Sequence, residues 1–212
     1  MKFPLLIVVL LVSLSALGQI TERQAYWKTI VDKDAKELGM TTLDSAGHVK
    51  TYRIWYNSMQ VVELVQLNDS TFDGHIVNYV TKNSGTRKKP KEETLIHKTK
   101  IPPLTVRNLI DTLHSANIET LPDSDKIKDY PQGFDGRNYV FEIGTQGNYR
   151  IYSYWEPENE QYQNGSLMEI INVRKILRTL QTELGLAKLF SGFIDRLPKG
   201  SYTYGITNMV KP

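Results

Sequence analysis

Three runs rich in β-branched and aromatic residues follow one another in the middle of the chain. They constrain the fold more than any other feature. The runs are YRIWY at 52–56, VVELVQL at 61–67 and TFDGHIVNYV at 71–80, and the separators NS and NDS are short groups of turn-forming residues. Strands joined by such short turns pair antiparallel, so this pattern predicts an antiparallel meander.

Further strands are predicted after the meander. The run TLIHKTKI at 94–101 predicts a fourth strand, which two prolines end. Residues 138–143 and 149–155 flank the loop GTQGN and predict a hairpin, and SYTYG near Tyr202 predicts a small edge strand. We therefore expect a sheet of about six strands, a meander plus a hairpin.

Apolar residues also recur at helical spacing in three segments, 27–38, 106–113 and 170–184. A glycine follows the first and the last of these segments, where a helix commonly ends. Ser166 and Glu169 have the spacing of a capping box, so we expect the last long helix to begin there.

Composition limits the number of domains. The chain has 212 residues, of which 40% are hydrophobic and 23% charged, as expected for a globular chain with a substantial core. We find no internal repeat and no linker, and a short helix is expected at 187–194. The prediction is one α+β domain at 19–212, with an antiparallel sheet packed by two or three helices.

The N-terminus has the three parts of a secretory signal peptide. Lys2 precedes an apolar run at 3–14, and small residues lead to Gly18. A signal anchor is the alternative, but an apolar run of roughly 12 residues is shorter than the roughly 20 that span a bilayer. We expect cleavage after residue 18, a periplasmic or extracellular protein and no membrane span afterwards. Since the chain has no cysteine, neither a disulfide nor a cysteine-linked lipid can form.

The net charge is small, +3 at pH 7, and removal of residues 1–18 takes away one lysine and lowers it to +2. We therefore expect no nucleic-acid partner. The basic residues at 82–91 lie among Asn, Ser, Gly and Pro, which is typical of a solvated loop; a polyanion or membrane-surface site is the alternative.

The residues needed for common catalytic and cofactor chemistry are absent or scattered. Without cysteine no thiol nucleophile exists, and the chain has no G-x-S-x-G motif, no phosphate loop and no H-E-x-x-H spacing. His75 and His97 lie on strands that can be neighbours, so a two-histidine site is conceivable, although isolated strand histidines are ordinary surface residues. We expect no cofactor and no metal.

Four acidic residues suggest an enzyme as the alternative function. The predicted hairpin brings Asp135 close to Glu156, Glu158 and Glu160, and glycosidases need two carboxylates at a set separation. The same residues are also common in turns and solvated loops. The alternative function is therefore a carboxylate-dependent hydrolase that acts on envelope glycans or peptides.

Aromatic residues of the hairpin suggest a binding surface. The five-residue loop would set Ile143 opposite Tyr149. Tyr149, Ile151 and Trp155 would then face the core, while the opposite face of the strand would carry Arg150, Tyr152 and Tyr154. Such residue types are enriched at contact sites for proteins, peptides and sugars. Alternatively, the last helix covers this face and the tyrosines belong to the core.

The strand segments YRIWYNSMQVVELVQL, FDGHIVNYV and FDGRNYVFEI to YRIYSYWEPE, behind a signal peptide that ends in Gly18-Gln19, resemble uncharacterised secreted proteins of Bacteroidota-type bacteria. The resemblance implies an exported envelope or periplasmic protein and assigns no functional residue. The sequence thus predicts a non-catalytic binding domain for a protein, peptide or glycan; the hydrolase or a structural or assembly factor are the alternatives. It does not predict the oligomeric state.

Overall fold

The computed structural model describes residues 20–43, 48–56, 58–86, 88–133 and 135–212. Within these ranges the chain forms an α+β fold of four helices and one open antiparallel sheet of eight strands. The predicted fold class is confirmed, with more strands than the expected six. The predicted signal peptide, residues 1–18, lies outside the described residues.

The elements have the following bounds. The helices are α1 Glu22–Glu37, α2 Pro103–Ser115, α3 Met168–Leu184 and α4 Leu186–Arg196, with a short 3-10 helix at Ser124–Lys126. The strands are β1 Lys50–Tyr56, β2 Gln60–Gln66, β3 Phe72–Thr86, β4 Lys89–Lys100, β5 Asn138–Thr145, β6 Asn148–Trp155, β7 Gly200–Tyr204 and β8 Thr207–Lys211. No helix of the described residues is long and apolar enough to cross a membrane.

The long strand β3 organises the sheet, whose order is β6-β5-β1-β2-β3-β7-β8. One edge of β3 pairs first with β2, through residues 72–78, and then with β7, through residues 81–83. The other edge pairs with β4. The β1–β2 turn therefore meets the β7–β8 turn along the edge of β3, where the Gly205 amide donates to the Ser58 carbonyl.

Helices cover both faces of the sheet. On one face α2 and α3 pack against residues such as Tyr52, Ile54 and Phe141, which forms the main core. On the other face Val31 and Ala35 of α1 pack in a second cluster with residues of β1, β2, β3, β5 and β6. A third cluster joins α4 to β3 and β7. Because helices cover both faces, the strands β1, β2 and β5 are buried along almost their whole length.

The predicted pairing of the β5–β6 hairpin is wrong by one residue. Ile143 pairs with Arg150 rather than Tyr149, and Phe141 pairs with Tyr152. The strands extend to Thr145 and Asn148, so the connection is a two-residue turn rather than a five-residue loop. A shift of one residue exchanges the faces, which are both apolar here, so alternation did not reveal the error.

Two local predictions also need correction. The basic segment 82–91 is not simply a loop, because residues up to Thr86 and from Lys89 onward continue the β3–β4 ladder. The capping box at Ser166 is not formed, since α3 begins at Met168 and the Ser166 hydroxyl donates to Asn164 instead. The end of α3 is as expected, with Gly185 in the left-handed conformation at φ 59°.

Candidate functional site

The residues that the sequence suggested as a binding surface do share one face of β6, but α3 and its neighbours cover that face. Tyr152 and Tyr154 are both 0% exposed and belong to the main core together with Ile170 and Val173 of α3. The structure therefore has the alternative arrangement, in which the helix covers these tyrosines. A ligand at the protein surface does not reach them.

The polar ends of these side chains hold the segment that follows α2. The hydroxyls of Tyr152 and Tyr154 donate to the carbonyls of Ile118 (2.6 Å) and Pro122 (2.7 Å). The Arg150 guanidinium donates to two further carbonyls of the segment and lies over the Tyr152 ring, 4.8 Å from its centroid. Burial raises the pKa of Tyr152 well above its usual value. All three side chains thus have structural contacts.

The two strand histidines do not form a pair. His97 is opposite Asn78, three positions along β3 from His75, so the two imidazoles point to opposite faces of the sheet. Across the described ranges, no group of three or more His, Asp and Glu side chains is arranged to hold a metal ion.

The four acidic residues separate in the structure. The Glu156 carboxylate accepts from the backbone amide of Arg137 at 2.6 Å, and Glu160 is exposed and lies 3.9 Å from Arg174. Asp135 is exposed, and its carbonyl accepts from a tryptophan of the hairpin. Of the four, Glu158 alone lines a cavity between the sheet and the C-terminal helices.

That cavity has a volume of about 560 Å³ and opens between the sheet and the two C-terminal helices. It lies where β1 ends, β2 and β5 begin and β7 ends, and α3 and α4 form its far side. We call it the helix–sheet cavity, and its principal lining residues are Tyr56, Gln60, Arg137, Tyr139, Glu158 and Phe190.

One end of the helix–sheet cavity is polar. The rings of Tyr56 and Tyr139 meet edge to face with centroids 5.4 Å apart, and the Tyr139 hydroxyl donates to Glu158 Oε2 at 2.7 Å. Burial and the hydrogen bond to Glu158 raise the pKa of Tyr139, and the neighbouring Arg137 guanidinium opposes the rise. Arg137 and Glu158 are exposed at the rim, so the cavity offers a group of each charge to solvent.

The Tyr56 hydroxyl differs from that of Tyr139 because no described residue forms a hydrogen bond with it, although its oxygen is fully buried. Burial, with Tyr139 and the Glu158 carboxylate as smaller contributors, raises the Tyr56 pKa well above its usual value. This hydroxyl is therefore neutral and able both to donate and to accept. It is a buried polar group at the cavity that lacks a partner.

The rest of the helix–sheet cavity is mostly apolar. Phe190 of α4 meets Tyr204 of β7 at a ring-centroid distance of 5.2 Å, and Leu177 and Ile194 add aliphatic surface. Gln60 is held in place, since its Nε2 donates to Asn78 at 2.7 Å and to a carbonyl at the start of α4. The cavity thus combines aromatic and aliphatic walls with a few fixed polar groups.

From the sequence, Glu158 was a candidate only as one of four acids of the alternative hydrolase, and the other residues of the cavity were not candidates. One available signal was the position of Arg137, since the hairpin brings residues before β5 next to those after β6. No feature of the sequence indicates that Tyr56 and Phe190 line the same cavity. Comparisons with protein-family models, curated proteins and solved structures find no significant match to the chain.

Proposed function

We propose that this chain is an exported binding protein that holds a peptide or glycan in the helix–sheet cavity without transforming it. A volume of about 560 Å³ is in the range of small-molecule sites, which are typically apolar clefts with a few convergent polar groups. The phenylalanine ring and the tyrosine rings with their polar hydroxyls suit a sugar ring or a peptide side chain. Export rests on the signal-peptide pattern of residues 1–18.

The observation that carries the proposal is the buried hydroxyl of Tyr56 without a partner. Leaving such a group unsatisfied costs about 1–3 kcal/mol. A ligand that places a carbonyl, hydroxyl or amide beside it recovers that free energy on binding. Proteins tolerate local costs of this kind mainly at functional sites, where the compensation comes from the ligand.

A carboxylate-dependent hydrolase is the second function to consider, because Glu158 lines the cavity and Tyr139 donates to it. Glycosidases generally need two carboxyl groups, about 5–10 Å apart, on either side of the scissile bond. Among the described residues that line the cavity, Glu158 is the single acid. This favours binding over hydrolysis.

The proposal is tested by titrating short peptides and oligosaccharides into the protein and measuring heat and thermal stability. A ligand at about 100 times its Kd should stabilise the protein by about 2.7 kcal/mol. Phe190→Ala and Tyr56→Phe should weaken binding, whereas Tyr26→Phe, on the exposed side of α1, is the matched control and should not.

Products of the same ligands are assayed in parallel. Unchanged ligands support a binding protein. A product whose formation stops in Glu158→Gln supports the hydrolase. Binding that none of the cavity substitutions alters contradicts both functions.

A further inference from the structure

A second cavity, of about 270 Å³, lies on the other face of the sheet, the face that α1 covers. Residues of α1, β3 and β4 and the β7–β8 turn line it. Three of its side chains are carboxylates, Asp34, Glu37 and Glu92, against one basic side chain, Lys33. We call it the acidic cleft. Its lining therefore carries two more negative than positive groups.

Tyr79 gives the acidic cleft a polar group that is buried and lacks a partner. The residue is 8% exposed, and its buried hydroxyl forms no hydrogen bond of ordinary geometry with a described residue, although the Ser58 side chain lies beside it. Burial raises the Tyr79 pKa; Asp34 and Glu37 add to the rise, and the nearby Ser58 side chain opposes it. These neighbours all line the cleft, so the hydroxyl end of the ring lies at the wall of the cleft.

The carboxylates of the acidic cleft repel each other. Burial and the charge of Glu37 raise the pKa of Asp34, and only Lys33, which is exposed, opposes the rise. Glu37 accepts a hydrogen bond from Thr94 of β4, which holds its carboxylate at the wall of the cleft. A positive group in the cleft would relieve this repulsion.

The arrangement of the acids selects the kind of cation. Metal ions need oxygen ligands that converge on one point at about 2–2.6 Å, and in the portion of the chain that the structure describes these acids do not form such a group. Ammonium and guanidinium groups instead carry several N–H donors that reach separate acceptors. We propose that the acidic cleft binds the ammonium or guanidinium group of an organic ligand, with Asp34, Glu37, Glu92 and the Tyr79 hydroxyl as acceptors.

The acidic cleft and the helix–sheet cavity share Tyr204, but the other residues that line them are different. Cation binding here neither requires nor excludes a ligand on the other face of the sheet.

Titrations followed by amide NMR test the site, with n-butylammonium and n-butylguanidinium as probes and butan-1-ol and butyrate as controls. The cations should give saturable shifts at the amides of Thr94 and Thr203, which line the cleft. The shifts should weaken at high salt, because the carboxylates at the rim are screened. Equal shifts with butan-1-ol would overturn the proposal.

A matched pair of variants distinguishes cation binding in the acidic cleft from the effect of the overall surface charge. Glu92 lines the cleft, whereas Glu93 follows it on β4 and points to the opposite face. Glu92→Gln should raise the Kd of the cations roughly two- to fivefold, as expected for a partly screened charge pair, and Glu93→Gln should leave it unchanged.

Tyr79→Phe provides a second test, since it keeps the ring and removes the acceptor. It should weaken cation binding with little loss of stability, because the hydroxyl has no hydrogen bond of ordinary geometry in the free protein. Equal effects of Glu92→Gln and Glu93→Gln, or a Kd that Tyr79→Phe leaves unchanged, would contradict the assignment.

Discussion

The Tyr56→Phe substitution tests the reasoning behind the helix–sheet cavity, because it removes one buried hydroxyl and nothing else. That hydroxyl has no hydrogen-bond partner among the described residues, and an unsatisfied buried group costs about 1–3 kcal/mol. Removing the oxygen also forfeits a few van der Waals contacts worth about 0.1–0.2 kcal/mol each. The net expectation is that the variant is more stable than the parent by about 0.5–2 kcal/mol.

Tyr139→Phe is the matched control, since its ring packs against that of Tyr56 at 5.4 Å. Its hydroxyl donates to Glu158 at 2.7 Å, so the control loses a hydrogen bond to a charged group. Glu158 is exposed, which reduces the loss to about 1 kcal/mol. Two adjacent Tyr→Phe substitutions should therefore change the free energy of unfolding in opposite directions.

Urea unfolding followed by tryptophan fluorescence and circular dichroism measures both variants. The midpoints should move in opposite directions while the slope stays constant, which shows that the change lies in stability rather than in the compactness of the unfolded state. If Tyr56→Phe is destabilised as much as Tyr139→Phe, the Tyr56 hydroxyl has a partner in the free protein and the reasoning fails.

Three further predictions concern the core and the N-terminus. Tyr152→Ala should cost about 3–5 kcal/mol in thermal or urea unfolding, because the ring is 0% exposed, while Tyr152→Phe should cost much less; near-neutral Tyr152→Ala would contradict the buried placement. Arg53→Met should cost about 3–5 kcal/mol at neutral pH, since it leaves the buried Glu142, 3.7 Å from Arg53, without its cation. Burial raises the pKa of the Glu142 carboxyl, so this carboxyl binds a proton more tightly in the folded state than in the unfolded state. The free energy of unfolding therefore falls as the pH rises through the raised pKa. The Arg53→Met penalty should therefore be smaller at about pH 5 than at about pH 7, and a penalty that urea unfolding finds independent of pH would refute this explanation. Mass spectrometry of the exported protein should find Gln19 as the first residue, whereas an intact N-terminus would contradict cleavage.

The fold class was predictable because hydrophobic periodicity and turn residues depend on local sequence. The meander at 52–80 was predicted from β-rich runs separated by very short turns, and the structure has the same pairing. The shift in the β5–β6 pairing arose from GTQGN, because its first two residues belong to β5 and its last residue to β6. Periodicity cannot detect such a shift where α1 covers one face and α3 the other.

The helix–sheet cavity was much less predictable than the fold. Its residues come from six helices and strands and from the loops between them. Tyr56 and Phe190 are 134 positions apart, and no sequence pattern links them. The lack of a partner for the Tyr56 hydroxyl is a property of three-dimensional packing that no spacing rule reveals. Conversely, Tyr152 and Tyr154 looked like surface residues only because sequence does not show which face α3 covers.

The most direct test of the binding function is to locate a bound peptide or oligosaccharide by intermolecular NOEs. A ligand in the helix–sheet cavity should show contacts with the methyl groups of Met59 and Ile194 and with the ring of Phe190, which line it. A ligand that binds tightly while these signals stay unchanged, and whose contacts map elsewhere, would contradict the account.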